Sequence, residues 1–293
     1  MVGRKKQSTA ARCTGKLLLL LLMVMALKLH SNSSLKGLSL RQLRKEDLNS
    51  NLVLPTIQFP ALPDRSVEYN PNPIPLNETV DNKSFKFPES DIMHRYLDGL
   101  EGVEVGSATH NGFGLHTVNV DFTFEPTLYQ KEQIDFVGQY RRVDVKASAD
   151  RLPWADGVVD FVLSSHVIEH FHDPIKVVCE WLRVVRVGGY VAIIAPHKER
   201  TFDKDRERTP WEEIRLRHYR FESGELVDAA FDSLQHWCVW ITDDFLEIAK
   251  HMHWKVVEWQ DADDKVGNGF TIIMQKTPSS LRNCPVQRQG DKL

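Results

Sequence analysis

The sequence is poor in cysteine and has no excess of charge of either sign. Its four cysteines form no CxxC pair, so a zinc ribbon is not predicted and a dense disulfide framework is excluded. Lys and Arg number 37 against 40 Asp and Glu, which gives a formal net charge of −3 and no electrostatic basis for nucleic-acid binding. Cys179 lies in a helical apolar pattern and is predicted to be a buried thiol, while a single bridge, for instance Cys238 to Cys284, is left open.

The chain also lacks an apolar run of the length that ordinarily spans a bilayer. Residues 17–27 (LLLLLLMVMAL) are apolar and follow five basic residues, but a helix of this length rises only about 16 Å. The pattern predicts a signal peptide or, continued through Lys28 to Leu29, a short uncleaved anchor that leaves the remainder in the lumen. We therefore expect targeting to the secretory pathway, for example as a single-pass Golgi protein. Because no acidic residue precedes Glu46, import into an organelle through a transit peptide is the alternative.

Residues 1–30 form the predicted basic flank and apolar segment. Residues 31–89 are predicted to be a linker or stem. Six prolines between positions 55 and 75 forbid a continuous helix and favour extended chain. Three Asn-x-Ser/Thr sequons fall in this stretch, where glycans would be exposed, and they favour a lumenal location. Their acceptor residues are Asn32, Asn77 and Asn82.

Strand and helix patterns alternate regularly from residue 90 to 277. This alternation predicts one α/β domain with a doubly wound, mostly parallel sheet and a C-terminal antiparallel hairpin. Residues 197–241 are predicted to be a lid-like insertion in it, and 278–293 a polar tail. The predicted helices are 90–100, 174–187 and 242–253, and the predicted strands begin at 103, 116, 160, 190, 255 and 269.

The ends of the first two predicted strands carry a glycine and a carboxylate at a spacing typical of nucleotide-binding sheets. Gly106 would let the backbone approach a ligand closely. Asp121 follows Glu104 by seventeen residues, near the spacing of about twenty at which a carboxylate binds ribose hydroxyls. Ligands of such sheets bind at the carboxyl ends of the strands, where both residues are predicted to lie. The absence of a complete GxGxxG disfavours a nicotinamide-dependent oxidoreductase.

Four further segments complete a recognisable pattern: 147–154 (ASADRLPW), 160–166 (DFVLSSH), 167–171 (VIEHF) and 183–190 (RVVRVGGY). In order and spacing they are similar to motifs of the class I S-adenosylmethionine-dependent methyltransferases, in particular the type 11 group related to quinone-biosynthesis methyltransferases. The resemblance is close over 103–196 and looser to 277. It implies a Rossmann-like methyltransferase fold with S-adenosylmethionine as the cofactor.

The resemblance also implies a role for each matching position. The implied cofactor-binding residues are Glu104 and Gly106 at the methionine part, Asp121 at the ribose, Ser148 and Ala149 at the adenine, and Ser165 in the loop that faces the methyl group. Ser148 stands where the family often has Asp, and Ala108 stands where it has Gly. These two departures motivate an alternative function, a catalytically inactive binding module that retains the fold.

Catalysis is expected to depend on histidines at the same edge of the sheet. An oxygen nucleophile needs a base within hydrogen-bond reach, and His166 is the first candidate for base or substrate contact. His197, which follows the next strand, is predicted to line the acceptor pocket. The stretch from His166 to His170 lacks the HExxH order of zinc proteases, so no metal site is predicted. The predicted reaction is methyl transfer to an oxygen or nitrogen of an unidentified acceptor, a small metabolite or, after secretory targeting, a glycan.

Overall fold

The computed structural model describes residues that all belong to the second of two compact units, Leu62–Leu293. The described ranges are 68–69, 87–107, 112–125, 127–137, 141–223 and 234–284. The predicted anchor and the three sequons lie outside these ranges. None of the described helices has the length and apolarity needed to cross a membrane.

The described part of the chain contains eight strands and five α-helices. The strands are β1 (Glu68–Tyr69), β2 (Glu101–Val105), β3 (His116–Asp121), β4 (Val145–Lys146), β5 (Val159–Ser165), β6 (Val185–Pro196), β7 (Lys255–Gln260) and β8 (Gly269–Gln275). The helices are α1 (Asp91–Leu97), α2 (Leu128–Val137), α3 (Pro174–Val184), α4 (Trp211–Glu222) and α5 (Thr242–His251).

All eight strands form one sheet in the order β1-β4-β3-β2-β5-β6-β8-β7. The five strands from β4 to β6 in this order run parallel to one another, β8 runs antiparallel to β6, and β7 runs antiparallel to β8. This confirms the predicted mostly parallel sheet and its C-terminal hairpin. The chain leaves β2 toward β3 and β4 on one side and returns to β5 on the other, so the topological switch point lies between β2 and β5.

Helices cover both faces of the sheet, and the central strands are therefore buried on both sides. Phe161 and Leu163 of β5 belong to a core cluster with Ile92 of α1. Val162, which points to the opposite face because side chains alternate along a strand, belongs to a cluster with Trp181 of α3. The near-continuous apolar sequence of β5 and β6 follows from this two-sided burial.

The boundary between α3 and β6 differs from the predicted one. The sequence predicts a helix that continues to 187 and ends at Gly188 and Gly189, but α3 ends at Val184 and β6 begins at the next residue. A Cβ atom on Gly189 would lie 2.2 Å from the carbonyl oxygen of Asp160. That glycine therefore permits a close approach of β6 to β5 and does not end the helix.

The cysteine pairing corrects two predictions. Cys179 of α3, predicted to be a buried thiol, forms a disulfide with Cys284. Cys238, which was left open as a partner of Cys284, is a buried free thiol. The pairing depends on where α3 and the segment after β8 meet in space, and sequence spacing does not carry that information. The bond attaches residues 278–284, the described part of the predicted polar tail, to the domain.

Candidate active site at the carboxyl edge of the sheet

The predicted cofactor-binding residues lie at the carboxyl ends of adjacent parallel strands. The backbone N–H of Gly106, after β2, donates to the carbonyl oxygen of Val120 at 2.8 Å. The N–H of Ala147, after β4, donates to the carbonyl oxygen of Asp121 at 2.9 Å. Ser165 is the last residue of β5, which pairs with β2. The turns that follow β2, β3, β4 and β5 therefore share one edge of the sheet, beside the switch point.

Gly106 adopts a backbone conformation that other residues rarely take. Its φ angle is +69°, and a Cβ atom there would lie 2.3 Å from Cγ2 of Val167. The absence of a side chain thus lets the turn after β2 contact the turn after β5. The close approach that the structure shows is to a neighbouring loop, and the approach of Gly106 to a ligand stays a prediction.

Asp121 is a buried carboxylate at the tip of β3. Its Oδ1 accepts a hydrogen bond from the N–H of Phe122 at 2.7 Å, and no described basic side chain forms an ion pair with it. Burial raises the pKa of Asp121 to about 6, although the bond from Phe122 acts in the opposite direction. A buried carboxylate with acceptor capacity left is suited to receive hydroxyl donors from a ligand.

Three serine hydroxyls lie close to Gly106 in sequence or in the sheet register. The Oγ atoms of Ser107, Ser164 and Ser165 are buried and have no hydrogen-bond partner among the described residues. Ser164 pairs with Val105 across β2 and β5. Buried polar groups of native proteins normally have a partner, so these hydroxyls indicate a polar ligand or water at this edge.

Glu104 forms an ion pair with Arg141. Its buried carboxylate accepts hydrogen bonds from the guanidinium of Arg141 and, at 3.4 Å, from the hydroxyl of Thr117. The residue therefore ties β2 to β3 and to the segment before β4. This agrees with a role in shaping the turn and leaves little capacity for direct contact with a ligand.

The segment after β4 is fixed by α3. The carbonyl oxygen of Ala149 accepts a hydrogen bond from the indole of Trp181 at 2.9 Å. The exposed hydroxyl of Ser148 donates to Asp150 at 2.5 Å, and Asp150 is paired with Lys176 of α3 at 2.7 Å. The helix thus positions both residues that the resemblance assigns to the adenine.

The connection from β2 to β3 is unusually short for parallel neighbours. Residues 106–115 are too few for the usual crossover with a helix. Its described residues, 106–107 and 112–115, are not helical. This edge therefore lacks, in its described part, the helix N-terminus that often faces an anionic ligand group after the first strand.

His166, the predicted base, begins the loop after β5 in a strained conformation. Its φ angle is +56°, which is uncommon for a residue with a side chain and is concentrated at functional sites. Its ring is about one-quarter exposed, and its Nε2 has no hydrogen-bond partner among the described residues. A histidine with an unengaged ring nitrogen at the switch-point edge can accept a proton.

His197, the second predicted catalytic residue, is held by contacts at both ring nitrogens. Its Nδ1 accepts a hydrogen bond from the N–H of Glu199 at 3.1 Å, and its Nε2 lies 3.5 Å from a carboxylate oxygen of Asp261. Burial lowers the pKa of His197, and Arg200 nearby lowers it further. The side chain of His197 thus caps the short 3-10 turn Lys198–Arg200, which follows β6.

A cluster that the sequence does not predict lies directly behind His166. Glu169, His170 and His236 place one donor atom each within 4.8 Å of the others, and all three are buried. Glu169 and His170 form a short 3-10 turn after β5, whereas His236 comes from the predicted lid. Only the folding of 234–240 onto this turn, through hydrogen bonds from Trp237 and Cys238 to the carbonyl oxygen of Glu169, brings them together.

Comparison with known proteins finds similarity over part of the domain. Residues 101–193 match the model of a family described as a methyltransferase domain. An uncharacterized methyltransferase of Mycobacterium sp. (strain KMS) is 51% identical over 49 residues, which are 17% of this chain and 19% of that protein. Ajmaline N-methyltransferase of Rauvolfia serpentina is 30% identical over 103 residues, 35% of this chain and 34% of that protein. The chain thus spans about a fifth of the length of the first curated relatives it matches.

Solved structures with a similar fold include a S-adenosylmethionine-dependent methyltransferase of Thermotoga maritima, described as a possible histamine N-methyltransferase. It is 21% identical, with a TM-score of 0.37 over 62% of this chain and 84% of that protein. Over residues 101–193 the domain is similar to methyltransferase domains. Its mostly parallel sheet with a C-terminal hairpin agrees with the fold predicted for the class I type, which uses S-adenosylmethionine as the cofactor. The quinone-biosynthesis-like subgroup stays a prediction.

Proposed function

We propose that this chain, which carries a class I S-adenosylmethionine-dependent methyltransferase domain, methylates an oxygen or nitrogen atom of an acceptor. One observation carries the proposal: Asp121, a buried carboxylate with unused acceptor capacity, lies beside Gly106 at the switch-point edge. The buried hydroxyls of Ser107, Ser164 and Ser165 add unsatisfied polar groups at the same edge. These residues fit a ligand that presents ribose hydroxyls and other polar groups.

Five of the predicted residues take direct roles in this arrangement. Asp121 accepts hydrogen bonds from the two ribose hydroxyls, and Ser148 and Ala149 flank the adenine. Ser165 contacts the cofactor at the end of β5. The cofactor supplies an electrophilic methyl group, so the protein has mainly to align the acceptor in a site from which water is excluded. His166 takes the proton that an oxygen nucleophile loses.

Transfer of labelled methyl groups tests this function. We expect the purified full-length chain to move label from methyl-labelled S-adenosylmethionine to one fraction of a cell extract, and His166→Ala to reduce the rate roughly 100-fold or more because the general base is lost. Calorimetry with the same variant is the control, since cofactor affinity should stay unchanged. Absence of labelling in every fraction, with the cofactor bound, would contradict catalysis.

A second candidate, a binding module without turnover, is favoured by the short connection between β2 and β3. The six described residues of that connection provide no helix to the methionine part of the cofactor. Calorimetry separates the two functions: an enzyme binds S-adenosylmethionine, whereas a module that has lost the cofactor site gives no heat of binding.

For the acceptor we propose a glycan or glycoconjugate, encountered in the secretory pathway. The apolar run 17–29, preceded by basic residues, and the three sequons support this location. The disulfide between Cys179 and Cys284 adds support, because such bonds persist mainly in oxidising compartments. A cytosolic or organellar protein would more often keep these thiols reduced.

Glycosylation tests the location directly. The full-length chain expressed in cells is expected to lose apparent mass on peptide-N-glycosidase digestion, and the triple variant Asn32→Gln, Asn77→Gln, Asn82→Gln should migrate like the digested protein. Unchanged migration of the wild-type chain after digestion, combined with access of a cytosolic protease to the domain, would exclude the lumenal location. Import into an organelle would then be the location to test.

A further inference from the structure

The cluster behind His166 has the geometry of a metal site. The Nε2 atom of His170 lies 3.7 Å from Oε1 of Glu169, and the Nε2 atom of His236 lies 3.9 Å from the same oxygen. These distances are too long for hydrogen bonds. They are somewhat longer than the separation of roughly 3.3 Å that bonds of about 2.0–2.1 Å impose on two ligands of a tetrahedral zinc ion. One donor atom from each of the three residues lies within 4.8 Å of the other two, so a small inward shift would let all three bind one ion.

The carboxylate of Glu169 has an environment that a structural role does not explain. Its side chain is fully buried, and neither of its oxygens accepts a hydrogen bond from any residue in the described ranges. A buried carboxylate without hydrogen bonds is costly unless it is paired with a charge or coordinates a metal. Two of the three histidines around it, His170 and His236, are also buried.

The two buried histidines are also oriented as metal ligands are. The Nδ1 atom of His236 lies 2.6 Å from a carboxylate oxygen of Asp203. The Nδ1 atom of His170 lies 3.0 Å from the carbonyl oxygen of Gln235. Each acceptor fixes the proton on Nδ1, so the lone pair is on Nε2, the nitrogen nearest to Glu169. Metal-binding histidines are usually held in this way, by a carboxylate or a backbone carbonyl at the second nitrogen.

We propose that Glu169, His170 and His236 bind a divalent transition-metal ion, with Zn²⁺ as the probe. Two imidazole nitrogens and one carboxylate oxygen suit zinc or iron, whereas magnesium and calcium prefer oxygen ligands. Three protein ligands leave a coordination position open, as in catalytic sites. His166, whose Nδ1 lies 3.9 Å from Oε1 of Glu169, stands beside the cluster at the strand end.

The ion gives the cluster a role at the active edge. This step rests on the proposed function: an acceptor hydroxyl bound at the open position has a lowered pKa, so it loses its proton to His166 more readily. The oxygen that bears the resulting charge would then attack the methyl group of the cofactor while the bond from that methyl group to the sulfonium sulfur breaks, and S-adenosylhomocysteine would leave with the electron pair. The site thereby favours an oxygen nucleophile over a nitrogen nucleophile.

Metal titration without the cofactor tests the site independently of methyl transfer. After chelation and removal of the chelator, the full-length chain is expected to bind one Zn²⁺, and Co²⁺ should give visible d–d bands that Zn²⁺ abolishes. His236→Ala and Glu169→Gln should bind Zn²⁺ more than 100-fold more weakly. Asp203→Asn, which removes only the group that orients His236, should bind about 10- to 100-fold more weakly. His116→Ala, an exposed histidine at the start of β3, is the matched control and should bind as the wild type does.

Two results would overturn the proposal. One is wild-type protein that retains no stoichiometric Zn²⁺ and shows no Co²⁺ bands, which would mean that water fills the cluster. The other is binding that His236→Ala, Glu169→Gln and Asp203→Asn leave as strong as in the His116→Ala control. If His236→Ala fails to fold, the proposal is judged by the Co²⁺ bands of the wild type and by the affinity of Asp203→Asn for Zn²⁺. Metal binding without methyl transfer would instead contradict the proposed function and leave the site standing.

Discussion

Reduction of the disulfide between Cys179 and Cys284 is expected to lower the free energy of unfolding by about 2–5 kcal/mol. The bond closes a chain segment with a sequence separation of 105 residues, and a loop of that length restricts the unfolded chain strongly. Urea unfolding with and without reductant, followed by tryptophan fluorescence, measures the change. A slope that stays constant while the midpoint falls would show a change in stability alone.

A double variant without the two cysteines is the control for this measurement. Leu281 and Cys284 pack against the core cluster that contains α3, so the disulfide holds a segment that already contacts the domain. The double variant Cys179→Ser, Cys284→Ser should unfold like the reduced wild type and should not respond to reductant. Thiol titration under denaturing conditions should give two more reactive thiols after reduction. If the two midpoints coincide although titration shows that the bond has been cleaved, the stabilising role is wrong.

Asp121→Asn is expected to weaken the binding of S-adenosylmethionine roughly 10- to 150-fold at pH 8. This fold-change corresponds to the loss of one hydrogen bond to a charged group, which contributes about 1.5–3 kcal/mol. In the wild type, burial raises the pKa of Asp121 to about 6. Because the ionised carboxylate is the better acceptor, the affinity should be constant above that pH and fall up to tenfold per pH unit below it. Calorimetry between pH 5 and 8 measures both effects.

The variant should lose this pH dependence, whereas Glu125→Gln, an exposed carboxylate in the loop after β3, should keep it. The cofactor-free protein gives an independent readout. A pKa raised in the folded state means that the contribution of Asp121 to stability is fully present below pH 3.8 and is lost as the pH rises through about 6. We therefore expect Asp121→Asn to unfold at higher urea concentration than the wild type at pH 8. Unchanged cofactor affinity from pH 5 to 8 in the wild type would rule out Asp121 as the ribose ligand.

The parts of the fold that local patterns encode were predictable. Ser90 and Asp173 each accept a hydrogen bond from a backbone N–H of the helix that they precede, and both helices were expected from the helical spacing of their apolar residues. The apolar sequence of β6 also predicts a strand buried on both faces. By contrast, α4 buries only Ile214 of its length, and so weak an apolar pattern does not predict a helix. The two-residue strand β4 is too short to show any periodicity.

The candidate site likewise has one part that the sequence predicted and one part that only the structure revealed. The sequence by itself predicted a mostly parallel sheet with a C-terminal hairpin and placed Gly106 and Asp121 at strand ends, because alternation of strands and helices and the position of residues at strand ends are local properties. Only the tertiary structure decided that Cys179 pairs with Cys284 and that His236 joins Glu169 and His170. Those contacts join segments far apart in the chain, and their formation depends on how the insertion and the C-terminal segment pack on the sheet.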